Sequence, residues 1–268
     1  MESGSSPLRD IVDTERYPVD QPATVAYTEL TQRCRADLAA SGVSMLDGFV
    51  RSSAISRLVA EAQAQAKFGH ASDVRGTPYL ELPSDHWPQD HPRSTWGNTR
   101  LTAVAYDRIS PQAALRAIYE SPAILRFLID ALGFEIFPYD DPLGGLNMAA
   151  MNDGDELFWH FDQTDFVVSL AIQSSDAGGE FECVQQIRSD TDERYDDVSA
   201  LLNGDRSRVV TLPMRPGTLM LFEGRASIHR VAPIEGSSPR YVGLFGYDRK
   251  PGTCSSALLR EIRYGRNA

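Results

Sequence analysis

The sequence predicts an α+β, mostly β domain, in which an antiparallel sandwich or barrel follows a helical N-terminal half. From Phe134 onward, short apolar runs recur between turn residues, which is typical of an antiparallel β core. Before that point, apolar residues recur at helical spacing between capping residues. The chain has 268 residues and is therefore long enough to bury a full core.

Helical periodicity defines the elements of the first half. Leu30, Cys34 and Leu38 fall on one stripe of a helix over Thr28–Ala40, which Gly42 ends. The other predicted elements are a strand over Val43–Leu46, a helix from Ser52 or Ser53 to about Gly69, a strand over Leu101–Tyr106, and two helices that start at Ser110-Pro111 and Ser121-Pro122 and end by Gly133.

Composition divides the chain further. Residues 1–25 lack periodicity and are predicted to be a flexible N-terminal arm, and residues 26–268 a single domain. Within it we expect helical support over 26–133, with a long lid loop at 70–100, a β core over 134–250 and a C-terminal extension over 251–268. The predicted core strands are Gly145–Met151, Leu157–Phe161, Phe166–Gln173, Gly179–Val184, Val209–Pro213, Thr218–Phe222, His229–Pro233 and Tyr241–Tyr247.

Charge and cysteine usage exclude several classes of function. With 26 basic and 37 acidic side chains the net charge is −11, which argues against nucleic acid as a partner. No apolar run is long enough to span a bilayer, and no signal peptide is readable, so we expect no membrane partner. Cys34, Cys183 and Cys254 are odd in number and scattered, as expected of reduced thiols in a cytoplasmic protein. Nothing in the sequence indicates the oligomeric state.

The residue types that carry chemistry are concentrated around Trp159-His160-Phe161-Asp162. Positions i and i+2 of a strand point to the same side, so His160 and Asp162 can face one metal ion. His229, on a later strand, would complete two imidazoles and one carboxylate on one face of an octahedron. That arrangement is typical of non-haem Fe(II) oxygenases. The triplet alone is also compatible with an ordinary buried histidine.

Arg240 strengthens the metal hypothesis, because it begins a predicted strand shortly after His229. Its planar guanidinium can bind a carboxylate through two parallel hydrogen bonds. A 2-oxo acid that chelates iron needs such an anchor for its far carboxylate. Between the predicted ligands lie Gly178-Gly179-Glu180-Phe181 and the turn Arg215-Pro216-Gly217, which leads into an apolar strand.

The order of these motifs over about residues 147–250 resembles the 2-oxoglutarate- and Fe(II)-dependent oxygenases with a prolyl-hydroxylase-type core. The resemblance implies a distorted double-stranded β-helix, or jelly roll, that uses Fe(II), 2-oxoglutarate and O2. By resemblance, His160, Asp162 and His229 are the iron ligands and act in catalysis, and Arg240 holds 2-oxoglutarate. Many relatives carry Ser or Thr two residues after this arginine, where the chain has Val242.

The layout of the whole chain is similar to the BesD/HalD-type group, whose members act on free amino acids as radical halogenases or as hydroxylating relatives. In the halogenating members Gly or Ala replaces the carboxylate ligand and leaves an iron position for chloride. Because this chain keeps Asp162, the resemblance implies a hydroxylase-type version.

These features predict an oxidoreductase that oxidises an unactivated C–H bond of a small molecule by hydrogen-atom abstraction. The expected substrate is a free amino acid or an amino-acid-derived metabolite, and the outcome hydroxylation, desaturation or cyclisation. Two lysines against 24 arginines fit a high-GC bacterial source and specialised metabolism. The alternatives are a hydroxylase of a protein-bound side chain, and a cupin-like metal protein that does not use 2-oxoglutarate.

Residues for substrate recognition are less clearly marked. A free amino acid needs a cation for its carboxylate, for which Arg93 and Arg100 are candidates. Asn147, Asn152 and Asp165 are candidates for further polar contacts. Taken singly, each of these residue types is more often structural or solvated than part of a binding site.

Overall fold

The structure, a computed structural model, describes residues 7–81 and 85–267. In this part of the chain the helices are α1 (Pro7–Ile11), α2 (Val25–Ser41), α3 (Ser52–Ala66), α4 (Ala114–Tyr119), α5 (Pro122–Leu132), α6 (Tyr195–Leu202) and α7 (Ala257–Tyr264). Two short 3-10 turns lie at Pro92–Ser94 and Tyr106–Arg108. None of the helices in the described ranges is long and apolar enough to cross a membrane.

The strands form one large antiparallel sheet and two small ones. They are β1 (Val43–Leu46), β2 (His70–Gly76), β3 (Gly97–Val104), β4 (Phe137–Pro138), β5 (Leu146–Met151), β6 (Glu156–His160), β7 (Val167–Gln173), β8 (Ala177–Gly178), β9 (Phe181–Val184), β10 (Val210–Leu212), β11 (Leu219–Phe222), β12 (Ile228–Val231), β13 (Ile234–Glu235), β14 (Arg240–Phe245) and β15 (Tyr247–Asp248). The small sheets pair β8 with β13 and β4 with β15.

Strand β3 joins the two halves of the large sheet. One half runs in the order β1-β11-β7-β14-β5 and the other in the order β6-β12-β9-β10. β3 pairs with β5 through its last residues and with β6 through Thr99 and Arg100, while β2 pairs along its whole length. The result is a curled, mostly β core that confirms the predicted jelly roll.

Two apolar layers hold this core together. Helices α2 to α5 cover the outer side of the first half, where Phe127 packs with Leu170 and Phe245 in one buried cluster. Between the halves, a second cluster includes Met151 of β5 and Val231 of β12. A buried aromatic such as Phe127 contributes about 3–5 kcal/mol relative to alanine. The first layer fixes the sheet, and the second encloses the space between its halves.

Helix α2 shows how local sequence sets the boundaries. The Thr24 side chain accepts a hydrogen bond from the Tyr27 N–H at 3.2 Å, which caps the N-terminus. Gly42 takes the left-handed conformation, with φ at 70°, and its N–H donates to Leu38 O. The predicted helix over Thr28–Ala40 is confirmed with a slightly earlier start.

The prediction of a flexible arm over residues 1–25 is wrong for its described part, and residues 1–6 lie outside the described residues. Ile11, Val12 and Tyr17 are buried in the same cluster as the helices. The Tyr17 hydroxyl donates to Asp47 O at 2.7 Å. Apolar residues without regular spacing still bury their area against a preformed helical layer, and periodicity does not detect this.

The prediction of a lid loop over 70–100 is also wrong at both ends. His70–Gly76 forms β2, which pairs with Gly97–Val104 as β3. The sequence His-Ala-Ser-Asp-Val-Arg-Gly has little intrinsic strand preference, so the strand exists because β3 supplies its ladder of hydrogen bonds. Only the segment between these two strands is a connection.

Candidate metal centre

Strand pairing brings the two predicted histidine ligands together. His160 is the last residue of β6, and His229 lies opposite it in the β6–β12 ladder. Their ring centroids are 4.2 Å apart. Asp162 follows two residues after His160, and its N–H donates to Gly224 O at 3.0 Å, which keeps the chain extended beyond β6. Three residues that are distant in sequence therefore meet at one end of the core.

The ligand atoms of these residues point at one another. Asp162 Oδ1 lies 3.9 Å from His160 Nε2, and Asp162 Oδ2 lies 3.6 Å from His229 Nε2. One ligand atom from each of the three residues lies within 4.8 Å of the others. Among the described residues this is the one group of three or more His, Cys, Asp or Glu side chains that could hold a metal ion.

Backbone carbonyls fix the tautomer of both histidines. Nδ1 of His160 lies 2.7 Å from Phe158 O, and Nδ1 of His229 lies 3.0 Å from Ser227 O. A carbonyl can only accept, so each Nδ1 carries the proton and each Nε2 presents a lone pair to the site. Burial lowers the pKa of both histidines to about 4. Both are therefore neutral at pH 7, which is the form that binds metals.

Asp162 is a buried carboxylate that a bound cation would stabilise. Its Oδ2 has no hydrogen-bond partner in residues 7–81 and 85–267. Burial raises the pKa of Asp162, while the proximity of His160 and Arg263 acts in the opposite direction. A Cβ atom on Gly224 would lie 1.7 Å from Oδ2, so glycine is what makes room for the carboxylate. The donor set therefore fits a divalent metal such as Fe(II).

Arg240, the predicted 2-oxoglutarate anchor, is the first residue of β14 and only 7% exposed. Within the described residues, its one polar contact joins Nη1 to Met151 Sδ at 4.0 Å, and no carboxylate pairs with it. Burial lowers the pKa of Arg240 to about 10, which leaves it charged at neutral pH. A buried cation without a counter-ion is suited to an anionic ligand. Val242 is buried and offers no hydroxyl for such a ligand.

Aromatic rings enclose His229. Phe181 stacks on its ring with centroids 5.3 Å apart, and Phe222 meets it edge-on at 4.9 Å. Cys183 is the partner of His229 in the β9–β12 ladder, but burial raises its pKa to about 12. Its Sγ is not among the clustered ligand atoms, so Cys183 is not part of the candidate metal set. The apolar wall limits the access of water to the metal position.

Of the predicted substrate residues, both arginines are engaged elsewhere. Arg93 forms ion pairs with Glu81 and with Glu193, and its Nε donates to the Tyr195 hydroxyl at 3.0 Å. Arg100 pairs with Asp155 at 2.8 Å. Both guanidinium groups therefore have carboxylate partners within the chain.

The polar candidates differ in their surroundings. Side chains at every second position of a strand point to the same face, so Asn147 lies on the same face of β5 as Met151. That face is directed toward the space between the two halves of the large sheet. Asn152 is exposed in the turn after β5. Asp165 pairs with Arg225 at 2.7 Å and with Arg249 at 3.2 Å. By placement, Asn147 remains the best of these candidates.

Two residues near Asp162, Gly224 and Arg263, are not marked by any local sequence pattern. The carbonyl acceptors lie two residues before each histidine, at Phe158 in β6 and at Ser227 just before β12.

The comparisons with known proteins agree with this geometry. A family model described as Halogenase D matches residues 89–258, which contain the three clustered residues and Arg240. The chain belongs to the halogenase D family. This membership confirms the predicted superfamily, the BesD/HalD-type group and the enzyme class of Fe(II)/2-oxoglutarate-dependent oxidoreductases. Fe(II) and 2-oxoglutarate, the predicted cofactor and cosubstrate, are those of this class. No curated protein matches the sequence significantly.

Solved structures share the fold of this halogenase D family member. The non-haem alpha-ketoglutarate-dependent carbocyclase SnoK from nogalamycin biosynthesis is 13% identical, with a TM-score of 0.59 over 90% of this chain and 94% of that chain. A prolyl hydroxylase from Trichoplax adhaerens, in complex with a peptide, is 16% identical, with a TM-score of 0.55 over 84% and 92%. HygX from Streptomyces hygroscopicus, with nickel, 2-oxoglutarate and hygromycin B bound, is 13% identical, with a TM-score of 0.54 over 88% and 97%.

Proposed function

We propose that this member of the halogenase D family hydroxylates an unactivated C–H bond of a free amino acid or an amino-acid-derived small molecule. His160, Asp162 and His229 are its iron ligands. The observation that carries the proposal is Asp162, a buried carboxylate oxygen without a partner beside two neutral imidazoles. In halogenating relatives the missing carboxylate leaves an iron position to chloride, and here Asp162 takes that position.

Bound Fe(II) supplies the activation of O2, coupled to the oxidative decarboxylation of 2-oxoglutarate, that allows a C–H bond to be oxidised. The residues of the chain orient and protect this chemistry. The carbonyls of Phe158 and Ser227 hold the imidazole rings with Nε2 toward the metal. Arg240 binds the far carboxylate of 2-oxoglutarate through its guanidinium fork. Phe181 and Phe222 keep water away from His229.

A small-molecule substrate is supported by family membership and by two of the structural neighbours. HygX is described with hygromycin B bound, and SnoK is described as a carbocyclase of nogalamycin biosynthesis. The prolyl hydroxylase neighbour binds a peptide, so a protein-bound side chain stays the alternative substrate. We favour a free amino acid because the group that the chain resembles acts on free amino acids.

The test is aerobic turnover with Fe(II), 2-oxoglutarate, ascorbate and chloride against a panel of free amino acids. Succinate release and the mass of each amino acid are measured in parallel. We expect succinate to accompany a product that has gained one oxygen, or lost two hydrogens, without chlorine. A chlorinated product from the wild type would contradict the proposal, as would oxidation that does not need 2-oxoglutarate. Turnover of a peptide but of no free amino acid would favour the alternative substrate.

Asp162→Ala is the informative variant, and Asp190→Ala, an exposed acid in the segment before α6, is its control. Loss of a metal ligand should lower oxygenation by more than about 100-fold, beyond the effect of losing a supporting hydrogen bond. Chloride incorporation by Asp162→Ala would add support, because the freed position can take a halide. Oxygenation by Asp162→Ala at the rate of Asp190→Ala would show that the ligand assignment is wrong.

A further inference from the structure

Ion pairing separates the arginines of this chain into two groups. Almost every buried or half-buried arginine of the described residues pairs with a carboxylate; the pairs are Arg51–Glu15, Arg93–Glu81, Arg116–Glu120, Arg188–Glu193, Arg230–Glu182, Arg260–Asp141 and Arg266–Asp107. Arg240 and Arg263 are the two exceptions within residues 7–81 and 85–267. Because a half-buried charge without a partner is costly, both positions call for a chemical explanation.

The C-terminal helix α7 provides an internal comparison. Arg260 and Arg263 lie one turn apart on it, and Arg266 follows just after its end. Arg260 Nε lies 3.4 Å from Asp141 Oδ2, and Arg266 pairs with Asp107 at 2.5 Å. Arg263, between them, makes no hydrogen bond or ion pair within residues 7–81 and 85–267. Two of the three arginines therefore fix the C-terminal segment through ion pairs, whereas Arg263 is available to bind a ligand.

Helix α7 packs against β2 and β3 and is anchored to Asp141. The buried Asp141 carboxylate accepts the Ser255 N–H at 2.9 Å as well as the Arg260 guanidinium. The Tyr264 ring is buried in the cluster between the sheet halves, together with Met151, the residue that Arg240 contacts. Arg263 immediately precedes Tyr264 on this helix and is itself half-buried.

The cluster that holds Tyr264 reaches the metal ligands. Phe181 packs against this cluster, and its ring stacks on that of His229 with centroids 5.3 Å apart. Arg263 therefore lies on a helix whose buried residue Tyr264 borders the metal centre.

We propose that Arg263 binds a carboxylate group of the primary substrate and so sets which carbon faces the metal. This inference rests on the proposed function and names its substrate class as carboxylate-bearing small molecules. It replaces Arg93 and Arg100 in that role, since both are engaged with carboxylates of the chain itself. The two unpaired cations then serve two anions, Arg240 the cosubstrate and Arg263 the substrate. The match to the halogenase D family model ends at residue 258 and therefore does not include Arg263.

The experiment is calorimetric titration of the full chain loaded with Ni(II) and 2-oxoglutarate, which bind without turnover. The probes are the twenty common L-amino acids, followed by the amides of those that bind. In the wild type we expect the acids to bind at least about tenfold more tightly than their amides. Arg263→Gln should lower the affinity for the acids by about 10- to 100-fold, and leave that for the amides unchanged.

Arg263→Lys and Arg266→Gln are the matched variants. Arg263→Lys keeps the charge and should recover part of the affinity, whereas Arg266→Gln removes a nearby paired cation and should bind the acids like the wild type. An unchanged affinity of Arg263→Gln for the acids would overturn the inference, as would an equal loss for the amides, or a wild type that binds none of the acids. Failure of Ni(II) and 2-oxoglutarate to bind would instead overturn the proposed function beneath it.

Discussion

Two neighbouring regions of the molecule differ in whether their charged side chains have ionic partners. In the arginine–aromatic cluster (Tyr79, Arg93, Arg188, Glu193 and Tyr195), each arginine has a carboxylate and an aromatic ring as partners. At the metal centre, Asp162, Arg240 and Arg263 have no ionic partner of opposite permanent charge among the described residues. The first arrangement stabilises the fold. The second lowers stability and is explained by ligands that supply the missing charges.

The largest expected difference between the two regions is in their dependence on pH. Burial lowers the pKa of His160 and His229 from 6.5 to about 4. As the pH falls from 6.5 to 4, the two histidines become protonated in the unfolded chain but stay neutral in the folded chain. The free energy of unfolding of the metal-free protein should therefore fall, by up to about 3 kcal/mol for each histidine.

Urea unfolding between pH 4 and 8 measures this effect, and His229→Gln isolates the share of one histidine. The variant should lose much less stability than the wild type over that range. Parallel pH profiles for the two proteins would contradict the burial of a neutral imidazole at this position.

Arg240→Met sharpens the comparison by removing an unpaired charge. The affinity for 2-oxoglutarate should fall about 100-fold, because a bidentate, charge-assisted contact is lost. The ligand-free protein should nevertheless become more stable, by about 1 kcal/mol or more, because a buried cation without a partner is removed. Calorimetry with 2-oxoglutarate and urea unfolding give the two quantities. A destabilised variant with unchanged 2-oxoglutarate affinity would assign Arg240 to the fold instead.

Gly224→Ala tests the space that Asp162 needs. The added Cβ would lie 1.7 Å from Asp162 Oδ2, so the carboxylate must move away from the histidines. We expect the affinity for Fe(II) to fall by about tenfold or more, as when a metal ligand loses its orientation. Gly76→Ala is the control, because nothing lies within 4 Å of a Cβ atom there. Equal Fe(II) affinities in the two variants would show that Gly224 does not position the carboxylate.

The smallest effect on function belongs to the arginine–aromatic cluster. Arg93→Gln breaks ion pairs and a contact with the Tyr79 ring at 4.1 Å, which should cost about 1–2 kcal/mol of stability. The affinities for Fe(II), 2-oxoglutarate and amino acids should not change. A selective loss of amino-acid affinity in a folded Arg93→Gln would restore Arg93 as a substrate residue and erase the distinction between the regions.

The jelly roll and the clustering of His160, Asp162 and His229 could be predicted because both rest on local signals. Strand periodicity puts His160 and Asp162 on one side of their strand. The order of the motifs along the chain identifies His229 as the third candidate ligand. Whether an arginine is available for a ligand depends on partners far away in sequence, such as Asp155 for Arg100. Sequence patterns carry no information on such pairings, so they cannot rank Arg93, Arg100 and Arg263 as substrate-binding candidates. Likewise β2 owes its existence to β3 rather than to its own residues.

Anaerobic titration of Fe(II) into the wild type, Asp162→Ala and the exposed-site control Asp190→Ala addresses the metal centre itself. The account predicts one Fe(II) site per chain in the wild type and in Asp190→Ala, and a loss of affinity of more than about 100-fold in Asp162→Ala. Equal Fe(II) affinity in all three proteins would contradict it.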